Sequence, residues 1–198
     1  MKLRMNLPNK LTMLRIILVP VFVVFAAQTE VAWCQFAALG IFVAASLTDM
    51  LDGRIARSQH LVTDFGKFMD PIADKLLVMS ALVMLVERAD NPNNYGAYMP
   101  AWICIVMLAR EFMVSGFRLV ASTKGKVIAA GIWGKLKTIS QMIYIPMALL
   151  IIPFYHIDLE MHKYWKLITW ILMYVSAALT LWSGFKYIWD NREFIKDM

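Results

Sequence analysis

Residues 49–74 read DMLDGRIARSQHLVTDFGKFMDPIAD, and this charged window lies between two stretches without any charge, VAWCQFAALGIFVAASLT at 31–48 and LLVMSALVMLV at 76–86. Each flank, extended into its share of the window, reads as a helix crossing a membrane, with the acids gathered at the ends that face each other across a short connection. The rest of the chain repeats the pattern. Of 198 residues, 60% are hydrophobic and only 17% charged, and the mean hydropathy is positive. That is more apolar surface than a soluble domain of this size can hide. Aromatic residues at 13%, seven of them Trp, suit the interfacial belts where a ring sits between hydrocarbon and water.

Hydropathy gives about six spans of roughly 20 residues, the length a helix needs to cross a hydrocarbon core of about 30 Å. They are expected near 11–28, 32–57, 66–88, 98–121, 129–152 and 164–189. Polar punctuation separates them at 28–30, 58–64, 90–94, 122–126 and 153–162. The expected fold is therefore an all-α integral membrane protein of six transmembrane helices, with a short N-terminal amphipathic helix lying in the interface. One membrane domain accounts for residues 1–198, without internal repeat or low-complexity segment. The basic start (Lys2, Arg4, Lys10) and the apolar run to Ala27 resemble a cleavable signal peptide. Arg15 inside that run and the later spans predict a retained first helix instead.

With the N-terminus placed in the cytoplasm, the outward segments hold only Arg88, Lys163 and Lys166 of the 20 cations. Lys and Arg are biased toward the cytoplasmic side, so both termini are predicted inside. The net charge of +6 is spread over several loops and no nucleic-acid module accompanies it, which points to anionic headgroups and phosphorylated substrates. Cys34 and Cys104 lie in apolar runs and read as packing residues. His60, His156 and His162 form no zinc spacing and read as surface residues.

Ionisable groups inside a membrane segment are costly, so acids there imply function. The charged window supplies four, Asp49 and Asp52 on one helix and Asp70 and Asp74 on the next, in the spacing D-x2-D-G-x2-A-R-x8-G-x3-D-x3-D. Offsets of three, four, seven and eight residues share a helical face. Asp49, Asp52, Gly53, Ala56 and Arg57 thus form one stripe, and Gly66, Asp70 and Asp74 another. Four carboxylates brought together cannot all ionise without compensating charge, and oxygen-only ligands select Mg2+ or Mn2+ over zinc. Two ions bridged by shared aspartates would suffice. Small residues at 53, 56 and 66 let a headgroup approach the backbone, and Arg57 offers a guanidinium to a phosphate. The plainer reading pairs these acids with Arg54, Arg57, Lys67 and Lys75 in a structural network. Eight specified positions in 26 residues favour the chemical one.

This window resembles the signature of the CDP-alcohol phosphatidyltransferases and matches it at every specified position; the six-helix layout and Asn9, Thr12 and Arg15 resemble that family too. The resemblance implies that the four aspartates hold two metal ions and that Asp74 is the general base toward the acceptor hydroxyl. It implies further that Thr48, Gly53, Ala56, Arg57 and Gly66 contact CDP-diacylglycerol. It also implies a homodimer in a bacterial cell membrane, surrounded by lipid. For Asn9, Thr12 and Arg15 two readings stand, direct contact with the CDP-lipid or a helix cap with a snorkelling arginine.

A second cluster bears on the acceptor. Arg110 and Glu111 interrupt an apolar run, Arg118 follows, and Gly134, Lys135, Lys137 and Thr138 open the fifth span. A pocket built from Lys75, Arg110, Arg118, Lys135, Lys137 and Thr138 suits an acceptor that carries its own phosphate. The lysines also serve as topology determinants or lipid anchors. The A-R-E and G-K-L-K-T segments resemble the branch whose acceptor is glycerol 3-phosphate and whose product is phosphatidylglycerophosphate. Inositol phosphate, phosphatidylglycerol and serine are the alternative acceptors. A divalent-metal transporter is the rival from another class, and it calls for broken helices in symmetric halves with acids near the midplane.

Overall fold

The computed structural model describes residues 7–58, 64–87, 99–123, 125, 128 and 131–192, apart from the side chains at 7–8, 49–58, 64–68, 70–71, 74, 87 and 156. Seven helices follow one another among these residues: α1 (Leu7–Ala27), α2 (Ala32–Ser58), α3 (Asp64–Glu87), α4 (Ala101–Thr123), α5 (Ile132–Leu149), α6 (Ile151–Ile157) and α7 (Leu159–Asp190). No strand occurs among the described residues.

The side-chain distribution is the reverse of a water-soluble helix bundle. On α1 the inward stripe is Asn9, Thr12, Arg15, Val19, Phe22 and Ala26, at steps of three and four, whereas Leu14, Ile17 and Val24 point outward. Val24 is 62% exposed while Arg15 is 1% exposed. A soluble amphipathic helix turns its polar face to water, so this inversion marks lipid as the solvent of the outer face. The same holds on α7, where Thr169, Ser176, Thr180 and Ser183 are buried and Leu167, Ile171 and Leu181 are exposed. The inward hydroxyls are satisfied locally, Thr169 donating to the Trp165 carbonyl at 2.8 Å and Thr180 to that of Ser176 at 2.7 Å.

Among the described residues, three helical stretches are long and apolar enough to cross a membrane: Asn9–Ala27, Ile132–Tyr155 and Leu159–Asp190. Among the described side chains of α2 and α3, the apolar portions are Ala32–Thr48 and Lys75–Val86. The aspartate window shared by α2 and α3 lies outside these portions, and α4 carries Arg110, Glu111 and Arg118.

α1 packs chiefly on α2 and α3, while α7 lies against α5, α4 and α6. The core between them takes Phe22, Phe42, Leu82, Ile103, Met107, Tyr144 and Met173 from six helices. The α1–α2 hairpin is pinned by Gln35, whose amide donates to the Gln28 carbonyl at 2.9 Å and to that of Ala26 at 3.3 Å, capping the end of α1 from its neighbour. After α4 the chain turns at Gly125, whose φ of 73° lies in the left-handed region where glycine carries no Cβ penalty.

Four expectations change. The first helix starts at Leu7, so residues 7–10, expected in a separate interfacial stretch, belong to α1, and residues 1–6 lie outside the described residues. The fifth span does not give way to a polar break at 153–162. The helix is interrupted at Leu150, where Pro153 has no N–H to return to the Leu149 carbonyl, and then continues as α6. Trp165 of α7 takes the Met147 carbonyl at this interruption, with its indole N–H donating at 2.8 Å. The break itself is only Asp158, whose carboxylate accepts from the N–H groups of Glu160 (2.8 Å) and Met161 (3.2 Å) and starts α7 five residues earlier than expected. His162, expected on the surface, is buried at 8% exposure, since the tight turn at Asp158 folds it under α6, with Nδ1 3.3 Å from the Ile151 carbonyl. His60 and the side chain of His156 lie outside the described residues. Cys34 and Cys104 are buried and unbridged, as packing residues should be.

Candidate active site

The aspartate window is helical on both sides of its connection, with Asp49 and Asp52 on the last turns of α2 and Asp70 and Asp74 on the first turns of α3. At helical spacing, positions 49, 52, 53 and 56 share one face, as do 66, 70 and 74. The side chains of Asp49, Asp52, Gly53, Ala56, Arg57, Gly66, Asp70 and Asp74 lie outside the described residues. Among the described residues, no group of three or more His, Cys, Asp or Glu forms a metal site. Thr48, one residue before the window, is half-buried, and its hydroxyl donates to the Ala45 carbonyl at 2.8 Å.

α1 runs antiparallel to α2 across a short connection, so its first turns lie beside the last turns of α2. Asn9, Thr12 and Arg15 therefore stand at the same end of the assembly as the aspartates, and all three are buried. None of them is without a partner. A snorkelling arginine keeps its head group in water, whereas Arg15 is 1% exposed.

The basic residues come together around one cavity. A space of about 470 Å3 between α3, α4 and α5 is lined by Lys75, Arg110, Arg118, Lys135 and Thr138, together with Glu111 and Gly134. Its described lining carries four cations and one acid. Glu111 is the local counter-charge. It lies 3.2 Å from Arg110 Nη1 and pairs with the Lys137 ammonium of α5. Lys137 is placed differently from its companions, buried at 3% exposure and lining a smaller adjoining space with Lys75, Thr138 and Gln141. It stands behind the cavity and anchors Glu111. Thr138 returns its hydroxyl to the Gly134 carbonyl at 3.1 Å.

Arg110 is also held from α7, its Nη2 donating to Ser183 Oγ at 2.6 Å. Sequence reading noticed Glu111 as a membrane charge without assigning it to the site, and it missed Ser183. For Glu111 the signal was present, an acid next to a base in an apolar run. A serine 73 residues from its partner carries no such signal.

What fold and site define is an all-helical membrane protein with a carboxylate-bearing helix pair at one end and a basic cavity beside it. The pattern of the CDP-alcohol phosphatidyltransferases matches residues 5–182, and the chain belongs to that family. Among curated relatives, the CDP-diacylglycerol--glycerol-3-phosphate 3-phosphatidyltransferase of Bacillus subtilis (strain 168) is 38% identical, with 96% of this chain and 97% of the relative aligned. Proteins of the same name from Haemophilus influenzae and Escherichia coli (strain K12) are 35% and 34% identical. The Haemophilus alignment covers 94% of this chain and 93% of the relative, the Escherichia alignment 94% of each.

Proposed function

We propose that the protein transfers the phosphatidyl group of CDP-diacylglycerol to sn-glycerol 3-phosphate, giving phosphatidylglycerophosphate and CMP. The observation that carries this reading is the convergence of Lys75, Arg110, Arg118 and Lys135 on one cavity, in a chain whose family membership supplies the CDP-lipid half. An acceptor with its own phosphate needs such a surplus of N–H donors, and an acceptor such as serine does not.

In the proposed step an acceptor hydroxyl oxygen bonds to the β-phosphorus, the bond from that phosphorus to the bridging oxygen breaks, and CMP departs with the electron pair. Asp74 receives the hydroxyl proton. Most of the remaining task is positioning and neutralisation of charge, as in other phosphoryl transfers. Arg57, Gly53, Ala56, Gly66 and Thr48, with Asn9, Thr12 and Arg15 at the same end, are assigned to the CDP-lipid. Lys75, Arg110, Arg118, Lys135 and Thr138 are assigned to the acceptor phosphate, with Lys137 behind them. The donor set fits hard divalent cations, since Asp49, Asp52, Asp70 and Asp74 are all oxygen ligands on two consecutive helices. Bound there, Mg2+ or Mn2+ would neutralise the pyrophosphate and the developing charge. We further assign six membrane spans, with α5 and α6 as one span, both termini and the site at the cytoplasmic face of a bacterial cell membrane, and a homodimeric assembly.

The test is CMP release by purified protein with CDP-diacylglycerol, a divalent cation and a panel of acceptors. Turnover with glycerol 3-phosphate, abolished by a chelator, is expected. Turnover with inositol phosphate, phosphatidylglycerol or serine alone would overturn the acceptor, and turnover with none would overturn the reaction.

A further inference from the structure

Arg110 and Arg118 are eight residues apart on α4 and so share a face. They form a partition, since both line the cavity of about 470 Å3 toward α3 and α5, and both line a second space of about 190 Å3 toward α7. On the α7 side of that partition stand Ser183, Gly184 and Tyr187, which fall on one face of their helix.

Each has a specific contact. Ser183 Oγ accepts from Arg110 Nη2 at 2.6 Å. At Gly184 an added Cβ would come within 3.1 Å of Arg110 Cγ, so the absence of a side chain lets the arginine stem lie against α7. The Tyr187 ring lies under the Arg118 guanidinium, 5.7 Å from centroid to Cζ, and is itself held edge-on by Phe117 at 5.5 Å. A long cationic side chain binds an anion tightly only when its freedom is already restricted. These contacts restrict it without exhausting its donors. Of the five N–H groups of Arg110, the described partners are Ser183 and Glu111. The Nε atoms of Arg110 and Arg118 have no partner among the described residues.

We propose that Ser183, Gly184 and Tyr187 are positioning residues, through which the inner end of α7 aims the two arginines at the acceptor's phosphate and sets acceptor affinity. The inference rests on the phosphorylated-acceptor reading above. It concerns a segment that begins just where the family match, residues 5–182, ends.

The experiment is CMP-release kinetics on the purified full chain, varying acceptor and CDP-diacylglycerol separately. Ser183→Ala is expected to raise the KM for glycerol 3-phosphate about tenfold, the loss of one charge-assisted hydrogen bond. Its kcat and its KM for CDP-diacylglycerol are expected to stay near those of the parent. Ser183→Thr, which keeps the hydroxyl, restores the acceptor KM. Tyr187→Phe, which keeps the ring, behaves as the parent, and Tyr187→Leu shifts the same constant as Ser183→Ala. An unchanged acceptor KM in Ser183→Ala, or a rise in both KM values with a fall in kcat, overturns the proposal. If the parent chain uses a different phosphorylated acceptor, the proposed function fails, and the same ratio read on that acceptor still decides the role of α7. If the parent accepts only an unphosphorylated molecule, both fall.

Discussion

The two charged regions of this protein solve the problem of charge in a membrane differently. On α4, α5 and α7 the chain supplies its own partners, with Glu111 between Arg110 and Lys137, Ser183 behind Arg110 and Tyr187 under Arg118. Among the described residues, a positive surplus lines the cavity. On α2 and α3 four aspartates are placed on two helical faces, and the compensation proposed for them comes from bound cations. One region is prepared by packing and the other, on the proposed reading, by ions. They should therefore respond to perturbation in separable ways.

The largest effect is expected in the acidic region. Asp74→Asn should lower turnover about 1,000-fold or more, the scale of a lost general base, while leaving CDP-lipid binding largely intact. Binding measured beside activity checks this, and loss of both together would make Asp74 chiefly a metal ligand.

In the basic region the corresponding break is structural. Glu111→Gln removes the carboxylate charge paired with the Lys137 ammonium, which is 4% exposed at its side chain, and should cost about 3 kcal/mol of stability. Thermal unfolding in detergent reads the loss, and adding Lys137→Met should return most of it. If the double variant is no more stable than Glu111→Gln alone, the pair is not what holds α4 to α5.

The acidic pattern stands out in the sequence because it is local, with every element inside 26 residues; of it the structure describes the two helices and not the side chains. Helix limits followed for the same reason, α2 at 32–58 against an expected 32–57 and α3 at 64–87 against 66–88. For the basic region the sequence supplied most of the wall but not its supports. Arg110, Arg118, Lys135 and Thr138 were visible as charge and polarity out of place in apolar runs. Ser183 and Tyr187 look like any serine and tyrosine of a membrane helix until α7 is laid against α4. Pro153 misled for a related reason. It reads as a loop residue, yet in the first turn of α6 its missing N–H only interrupts the hydrogen-bond ladder.

The smallest effect belongs to a place outside both regions. Asp158→Ala removes the carboxylate that accepts from Glu160 and Met161 and should cost about 1 kcal/mol of stability. Kinetic constants for both substrates should not change. An altered acceptor KM would mean that the start of α7 transmits strain to its far end.

The division of labour between the two regions is tested most directly by Arg110→Ala, with KM measured for each substrate in turn. A rise of about tenfold or more in the KM for glycerol 3-phosphate, with the KM for CDP-diacylglycerol unchanged, is the predicted result. An equal rise in both, or no rise in the first, would contradict the assignment of the α3–α4–α5 cavity to the acceptor.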